Sequence, residues 1–311
     1  MFKPYYFSKK INKKVLGRVI SNIERIFIPK SDFESVPIWI IGPPRSGSTL
    51  LYNTLVNTFE FTYISNFVAK FPYATYLAAC IEKYLSFKKN YSNKFDEGDT
   101  QKLGAPHEGW NFLYRWFPEG YENVYLTGDH LSENNMQEFR RNIQALVKKG
   151  EGPFILKNTF NSMRIGALYK MFPKSLFIVC QRERLDIAQS IFKMRKATGN
   201  PSVWVGAAPK EYNEIKSLEV HEQIVKQIHL IYKQIAQDKI ELGLDDRMIY
   251  LNYKDFCMNT TESIQQIRDF LEAHNLQLNQ IHSIPTHFKY HGGKSTTSAD
   301  YERFKLEINK L

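Results

Sequence analysis

Apolar and polar positions along this chain form blocks that predict strands followed by helices. Four short apolar runs have the length and continuity of buried strands: residues 36–41, 153–157, 175–180 and 248–253. Apolar residues recur at helical spacing in the intervening segments, which predicts helices at residues 48–58, 132–149, 161–172, 186–196, 219–242 and 262–273. Residues 87–100 and 285–300 follow neither period and predict loops. The alternation favours an α/β fold, a single domain with a central, mostly parallel sheet flanked by helices.

The N-terminal segment has a different character, because residues 9–28 are basic and carry apolar side chains at helical spacing. One interpretation is a helix packed on the main domain, and the other is peripheral membrane contact through residues 9–28. We therefore divide the chain into an N-terminal basic amphipathic helix or arm, residues 1–30, and one domain, residues 31–311.

The loop after the first strand carries the clearest chemical signal. It reads Gly42-Pro43-Pro44-Arg45-Ser46-Gly47-Ser48-Thr49 and leads directly into a helix. This strand–loop–helix has the G-x-x-x-x-G spacing of a phosphate-binding loop. Ser48 stands where a nucleoside triphosphatase has its Lys, and the positive charge is at Arg45 instead. The loop therefore suits a smaller phosphate-like group, bound by backbone amides and a helix N-terminus with its charge met by Arg45.

A second polar segment follows the third predicted strand. Arg182 comes at the carboxyl end of that strand, and Ser190 lies about one turn into the next helix. Ligands of open α/β sheets bind at the carboxyl ends of strands, which makes Arg182 and Ser190 candidate ligand-binding residues.

Together, the two segments resemble those of sulfotransferases. Residues 44–49 are similar to the family's 5′-phosphosulfate loop, P-[KR]-[ST]-G-[ST]-[ST], and residues 182–190 to its 3′-phosphate segment, R-[DN]-P-x-D-x-x-x-S. A later Y-E-D pattern corresponds to residues 253–255. The chain departs from these patterns at Arg184, which replaces a proline, and at Lys254, which replaces the Glu.

The resemblance implies a donor, 3′-phosphoadenosine 5′-phosphosulfate (PAPS), and no metal. It implies that the 5′-phosphosulfate is held by Arg45, Ser46, Gly47, Ser48 and Thr49. Arg182 and Ser190 would hold the 3′-phosphate, with Tyr253 near the adenine. Lys294 lies in a basic, glycine-containing segment that would close over the 3′-phosphate.

Catalysis requires a base for the acceptor proton, and two adjacent residues are candidates. His107 and Glu108 lie in an aromatic-rich segment, and the sequence leaves the choice between them open. Lys157, at the end of the second predicted strand, is the expected partner of the leaving group's bridging oxygen. Arg45 completes the predicted catalytic set.

Composition limits the partners that the chain can have. The net charge is +10, but Lys and Arg are scattered and no nucleic-acid motif occurs, so we expect no nucleic-acid function. The eight histidines have no paired metal-ligand spacing. We find no long apolar run and no signal peptide, and we expect a cytoplasmic protein. The expected acceptor is a hydroxyl or amine of a small molecule, a glycan or a lipid, and the sequence does not indicate the oligomeric state.

Two alternatives to an active sulfotransferase remain open at this point. A P-loop kinase or NTPase would need a Lys at position 48 and a Mg²⁺-binding Asp at a strand end. A catalytically inactive phosphoadenosine-binding protein would keep the phosphate contacts and lack turnover.

Overall fold

The computed structural model describes residues 16, 17, 19–29, 35–85, 102–122 and 124–311. In these ranges the centre of the fold is a four-stranded sheet in which neighbouring strands pair in parallel, in the order β2-β1-β3-β4. The strands are β1 (Ile38–Ile41), β2 (Ile155–Lys157), β3 (Leu176–Gln181) and β4 (Met248–Asn252). The predicted single α/β domain with a parallel central sheet is therefore confirmed. The predicted loop 87–100 and residues 9–15 lie outside the described residues.

Helices surround this sheet. Residues 19–27 are helical, and the helices that follow are α1 (Ser48–Thr58), α2 (Asn66–Ala69), α3 (Thr75–Leu85), α4 (Trp110–Leu113), α5 (Glu133–Lys149), α6 (Ile165–Met171), α7 (Arg184–Ala197), α8 (Tyr212–Ile215), α9 (Val220–Glu241), α10 (Tyr253–Met258), α11 (Thr260–Glu272) and α12 (Ser298–Asn309). In the described part of the chain, no helix combines the length and the apolar content needed to cross a bilayer.

Both faces of the sheet are covered, which explains the continuous apolar runs of its strands. Trp39 and Ile41 point to one face, where Trp39 stacks on Phe139 of α5 at 6.4 Å between ring centroids. Ile38 and Ile40 point to the other face, into a cluster that includes residues of α1 and α11. Side chains alternate between the faces of a strand, so each strand contributes to two cores.

The strand order determines which strand ends are neighbours. The chain leaves β1, forms β2 on one side, and then crosses to form β3 on the other side of β1. The connections after β1 and after β2 therefore lead to opposite sides of β1, and this reversal is where open α/β sheets bind ligands. In register, Lys157 lies beside Ile40, Val179 beside Ile41, and Asn252 beside Gln181. The residues that follow β1, β3 and β4 consequently lie at one edge of the sheet.

Several predicted boundaries are confirmed by local capping. Helix α1 spans the predicted residues 48–58. Helix α5 starts after Ser132, whose hydroxyl accepts from the Asn135 amide, and ends at Gly150.

The predicted helix 161–172 is wrong over its first four residues, 161–164. Residues Thr159–Met163 form a 3₁₀ turn, and α6 starts only at Ile165, after a break at Arg164. The Asn158 side chain accepts from the Phe160 amide and so starts the turn earlier than apolar spacing suggests.

Two further boundaries differ for the same kind of reason. Tyr253 opens α10 and does not end β4, because the Asn252 side chain accepts from the Lys254 amide and caps the helix. The predicted loop 285–300 stops at Thr297, whose hydroxyl accepts from the Asp300 amide and caps α12.

Candidate active site

The loop between β1 and α1 has the backbone of an anion-binding site. Gly47 precedes α1 with a φ of 95°, and none of the described side chains caps the helix N-terminus. The first-turn amides of α1 are thus available to a ligand anion. A Cβ on Gly47 would lie 2.2 Å from the Tyr253 ring, so this position accepts glycine alone. The buried Ser46 hydroxyl has no hydrogen-bond partner among the described residues, and a ligand oxygen would satisfy it.

Two arginines from different strand ends meet beside this loop. Arg45 donates from Nε to Ser190 Oγ at 2.9 Å. Arg182 donates to the Arg45 carbonyl oxygen at 3.0 Å, and its guanidinium lies 4.5 Å from the centroid of the Tyr253 ring. Much of Arg45 stays accessible, yet partial burial and then the charge of Arg182 lower the pKa of Arg45. A bound anion would relieve this proximity of like charges.

A cavity of about 630 Å³ opens between these arginines and the C-terminal loop, residues 290–296. Its charged lining consists of Arg45, Arg182 and Lys193 against one carboxylate, Asp186. Three cations against one carboxylate make the lining positive overall. Both Asp186 oxygens accept hydrogen bonds from the C-terminal loop. Its volume lies within the usual range for small-molecule and cofactor sites.

The C-terminal loop is held against α7 by two side chains of that helix. Asp186 accepts from the Tyr290 hydroxyl at 2.7 Å and from the Gly293 amide at 2.9 Å. Gln189 accepts from the Ser295 amide at 2.7 Å and donates to the Gly293 carbonyl oxygen at 3.1 Å. These bonds fix one wall of the cavity, although 104 residues separate Asp186 from Tyr290.

An ion pair lies on the other side of β1, at the end of β2. Lys157 Nζ contacts Glu108 Oε1, and the Lys157 side chain is 6% exposed while that of Glu108 is 31% exposed. Asn158 donates to the Glu108 carbonyl oxygen at 2.9 Å, which holds the Glu108 backbone beside β2. Because Lys157 pairs in register with Ile40, the ion pair lies next to the start of the phosphate loop.

His107 is held in one tautomer by its own turn. The Gly109 amide donates to His107 Nδ1 at 2.9 Å, so Nδ1 carries the lone pair and Nε2 carries the hydrogen of the neutral ring. Burial lowers the pKa of His107, against a smaller raising effect of Glu108, which favours this neutral form. The imidazole therefore presents a donor at Nε2.

Comparison with known proteins identifies the chain. A family model described as the sulfotransferase family matches residues 37–275. The chain belongs to the sulfotransferase family.

The named relatives have low sequence identity to this chain, and the match covers only part of each protein. Two of them are the omega-hydroxy-beta-dihydromenaquinone-9 sulfotransferases of Mycobacterium bovis and Mycobacterium tuberculosis, each 26% identical over 176 residues. The match covers 52% of this chain and 45% of each relative, so the chain spans about half the length of these relatives.

Solved structures of sulfotransferases share the fold. One from Mycobacterium tuberculosis has a TM-score of 0.54 at 16% identity and covers 98% of this chain and 87% of its own. One from Mycobacterium avium has a TM-score of 0.51 at 16% identity and covers 89% of this chain and 68% of its own.

Most residues singled out in this sulfotransferase sequence lie at the sheet edge described above. Arg45, Arg182, Ser190 and Tyr253 line the cavity. Lys294 does not line it: its amine donates to Ser298 Oγ at 2.7 Å, towards α12.

Sequence reasoning missed three residues of the same site. Lys193 lines the cavity, and its signal was its position three residues after Ser190, on the same face of α7. Asp186 coincides with the Asp of the family's 3′-phosphate pattern, but its contact with the C-terminal loop had no sequence signal. The same holds for Gln189, because the loop partners of both residues lie more than 100 residues away. No group of three metal-ligating side chains occurs within the ranges the structure describes.

Arg164 is a further charged group that the sequence did not single out. It is fully buried at the break before α6, and no described residue hydrogen-bonds its guanidinium nitrogens. Its guanidinium lies 4.7 Å from the centroid of the Phe117 ring, and burial lowers its pKa to about 10. The Phe117 ring thus offers a cation–π contact that partly compensates the buried charge of Arg164.

Proposed function

We propose that this sulfotransferase transfers a sulfuryl group from PAPS to a hydroxyl group of its acceptor. The observation that carries the proposal is the meeting of Arg45 and Arg182 at a positively charged cavity beside the phosphate loop. The Glu108–Lys157 ion pair lies next to the same loop and supplies the acid–base groups that the transfer needs.

The donor carries a sulfuryl group on a phosphate that can leave, and the residues present fit both of its charged ends. The amides of the first turn of α1, the unpartnered Ser46 hydroxyl and Arg45 suit the 5′-phosphosulfate. The hydroxyl-bearing Ser48 and Thr49 complete this end.

The other end of the cavity suits the 3′-phosphate and the base. Arg182 and Ser190 are donors to the 3′-phosphate, and Lys193 adds a further positive charge there. The Tyr253 ring, already stacked under Arg182, provides a face for the adenine. Lys294 would have to leave Ser298 to join this set.

Glu108 is the better supported of the two candidate bases. A base must have a lone pair directed at the acceptor hydroxyl, and the hydrogen bond from Gly109 occupies the lone pair of His107 Nδ1. Glu108 is a partly exposed carboxylate held beside the phosphate loop by Asn158 and Lys157. Lys157 would then stabilise charge on the oxygen that bridges sulfur and phosphorus, with Arg45 neutralising the equatorial oxygens.

The acceptor we propose is a hydroxyl of a lipid-like small molecule. The support is the name of the two mycobacterial relatives, which are omega-hydroxy-beta-dihydromenaquinone-9 sulfotransferases. Other small molecules and glycans are the competing acceptors, and an assay must compare the three classes.

The alternatives make different predictions. Membership of the sulfotransferase family argues against a P-loop kinase or NTPase. An inactive phosphoadenosine-binding protein would bind the bisphosphate without turnover.

Calorimetric titration with adenosine 3′,5′-bisphosphate in EDTA tests the donor site, and a parallel titration with ATP–Mg²⁺ in buffer without EDTA tests the kinase alternative. We expect micromolar binding of the bisphosphate and none of ATP–Mg²⁺; the reverse result would contradict the proposal. Bisphosphate release from PAPS, measured with a long-chain isoprenoid alcohol, a phenol and a monosaccharide, then separates the acceptor classes. No release with any of the three would favour the inactive binder.

A further inference from the structure

The helix at residues 19–27 attaches to the domain through its polar side. Three residues at helical spacing, Gly17, Ser21 and Glu24, face the protein. The position of Gly17 lies against the Tyr73 ring, where a Cβ would be 2.6 Å from a ring carbon. Ser21 Oγ accepts from Arg115 at 2.7 Å. The residues that contact the domain on this side are therefore polar or, at Gly17, lack a side chain.

Glu24 is the central contact of this attachment. It is fully buried, and its Oε1 accepts from the Tyr76 amide at 2.6 Å in the first turn of α3. Its Oε2 lies 3.7 Å from Arg115. Burial raises the pKa of Glu24, while Arg115 and the α3 amides lower it in part. A carboxylate at a helix N-terminus, beside an arginine, holds the segment in one rotational position.

That rotational position turns the apolar side of the segment to solvent. The side consists of Leu16, Val19, Ile20, Ile23, Ile26 and Phe27, each between 36% and 80% exposed. A surface helix normally buries such a stripe and exposes its polar side. Here the order is reversed, and a contiguous apolar surface of this kind marks an interaction site.

The part of the sequence that carries this apolar surface is strongly basic. The first 30 residues contain eight Lys or Arg and one acidic residue, Glu24, and so contribute seven of the ten net positive charges. The structure adds a groove of about 760 Å³ between this segment and α5, lined by Ile26, Phe27, Arg25, Arg140, Arg141 and Glu138. Glu138 already pairs with Arg25 at 3.0 Å.

We propose that the apolar surface of residues 16–27 binds an anionic lipid bilayer. Apolar side chains would enter the boundary between headgroups and acyl chains, and the cations of this basic segment, with Arg25, Arg140 and Arg141 of the groove, would attract lipid phosphates. A second copy of this chain fits less well, because a symmetric contact would bring two strongly basic segments together. The inference does not rest on the proposed function, since vesicle binding can be measured without donor or acceptor.

The test is co-sedimentation of the full chain with vesicles of phosphatidylcholine, with and without phosphatidylglycerol. Ile26→Asp is the informative variant, and Ile240→Asp on α9 is its matched control, since these residues are 80% and 77% exposed. Both substitutions are at the surface, so we expect both variants to fold. We expect binding to the anionic vesicles that weakens with added salt, falls on the order of tenfold in Ile26→Asp, and is unchanged in Ile240→Asp.

Three results would overturn the inference. The first is no binding to anionic vesicles. The second is equal binding by the Ile26→Asp and unmodified proteins. The third is a concentration-dependent dimer in light scattering that Ile26→Asp abolishes, without vesicle binding, because it would assign the surface to a second copy.

Discussion

Arg45 Nε donates to Ser190 Oγ across 2.9 Å and joins two segments that are 145 residues apart in the chain. The bond connects the phosphate loop after β1 to the helix after β3. It also orients Arg45 toward the cavity that Arg182 lines. Arg45 has a φ of 68°, in the left-handed region that residues with a Cβ rarely occupy.

The conformation of Arg45 predicts that two substitutions with the same effect on donor binding differ in stability. Arg45→Ala and Arg45→Gly should both weaken adenosine 3′,5′-bisphosphate binding by about 2 kcal/mol, because each loses a charge-assisted donor. Arg45→Gly should be more stable than Arg45→Ala by about 0.5–1 kcal/mol, since glycine tolerates the left-handed backbone. Calorimetric titration and thermal unfolding measure the two effects, with Arg140→Ala as control for loss of a surface arginine. Unchanged bisphosphate affinity in both variants would remove Arg45 from the donor site.

Glu108 and His107 should differ in their effect on turnover. Glu108→Gln removes the proposed base and should lower kcat by about 100- to 10,000-fold, with unchanged bisphosphate affinity. His107→Asn can still accept from the Gly109 amide and should keep kcat within about tenfold.

The matched control for this pair is Glu122→Gln, which affects a surface ion pair with Lys216 and should leave kcat unchanged. If Glu108→Gln keeps full activity and His107→Asn loses it, the two roles are reversed.

The bonds between Asp186 and the C-terminal loop should support donor affinity. Asp186→Asn can accept only one of the two hydrogen bonds from Tyr290 and Gly293, so the loop should open more often. We expect the dissociation constant of the bisphosphate to rise about tenfold, and residues 290–296 to be cleaved faster in limited proteolysis. Asp269→Asn, on the surface of α11, should change neither. Loss of affinity without faster cleavage would point to a direct role of Asp186 in the cavity.

Asp238 should make stability depend on pH. Burial raises the pKa of its carboxyl from 3.8 to about 6, while hydrogen bonds from Gln234 and Tyr125 oppose the increase. A pKa raised in the folded state means that stability is present below about pH 4 and lost as pH rises through about 6. Asp238→Asn should thus raise the free energy of unfolding by about 1–2 kcal/mol near pH 8, with the gain absent near pH 4.

Thermal unfolding at the two pH values measures this gain. Asp245→Asn, whose side chain is 83% exposed, is the control and should show no pH-dependent gain. An equal gain of Asp238→Asn at both pH values would show that ionisation of Asp238 is not its cause.

The local parts of the site could be predicted from sequence because their signals act over a few residues. Apolar continuity defined the strands, and Ser132 and Gly150 marked the ends of α5. The phosphate loop could be predicted for the same reason, since its strand, its glycine spacing and its helix are consecutive in the sequence. The helix break at Arg164 could not be predicted. The apolar spacing favours a continuous helix there, whereas the Asn158 side chain accepts from the Phe160 amide and starts a turn instead.

The sequence by itself determined the α/β class, the phosphate loop and the two arginine-bearing segments, since each depends on local periodicity, spacing or capping. Only the tertiary structure decided the strand order β2-β1-β3-β4, which brings Arg45 beside Arg182 and Lys157 beside the loop. It alone decided that Glu108 pairs with Lys157 and that Lys294 turns away to Ser298. It also decided which side of the segment around Glu24 faces solvent. These outcomes depend on packing between residues far apart in the chain, and one sequence carries no local signal for them.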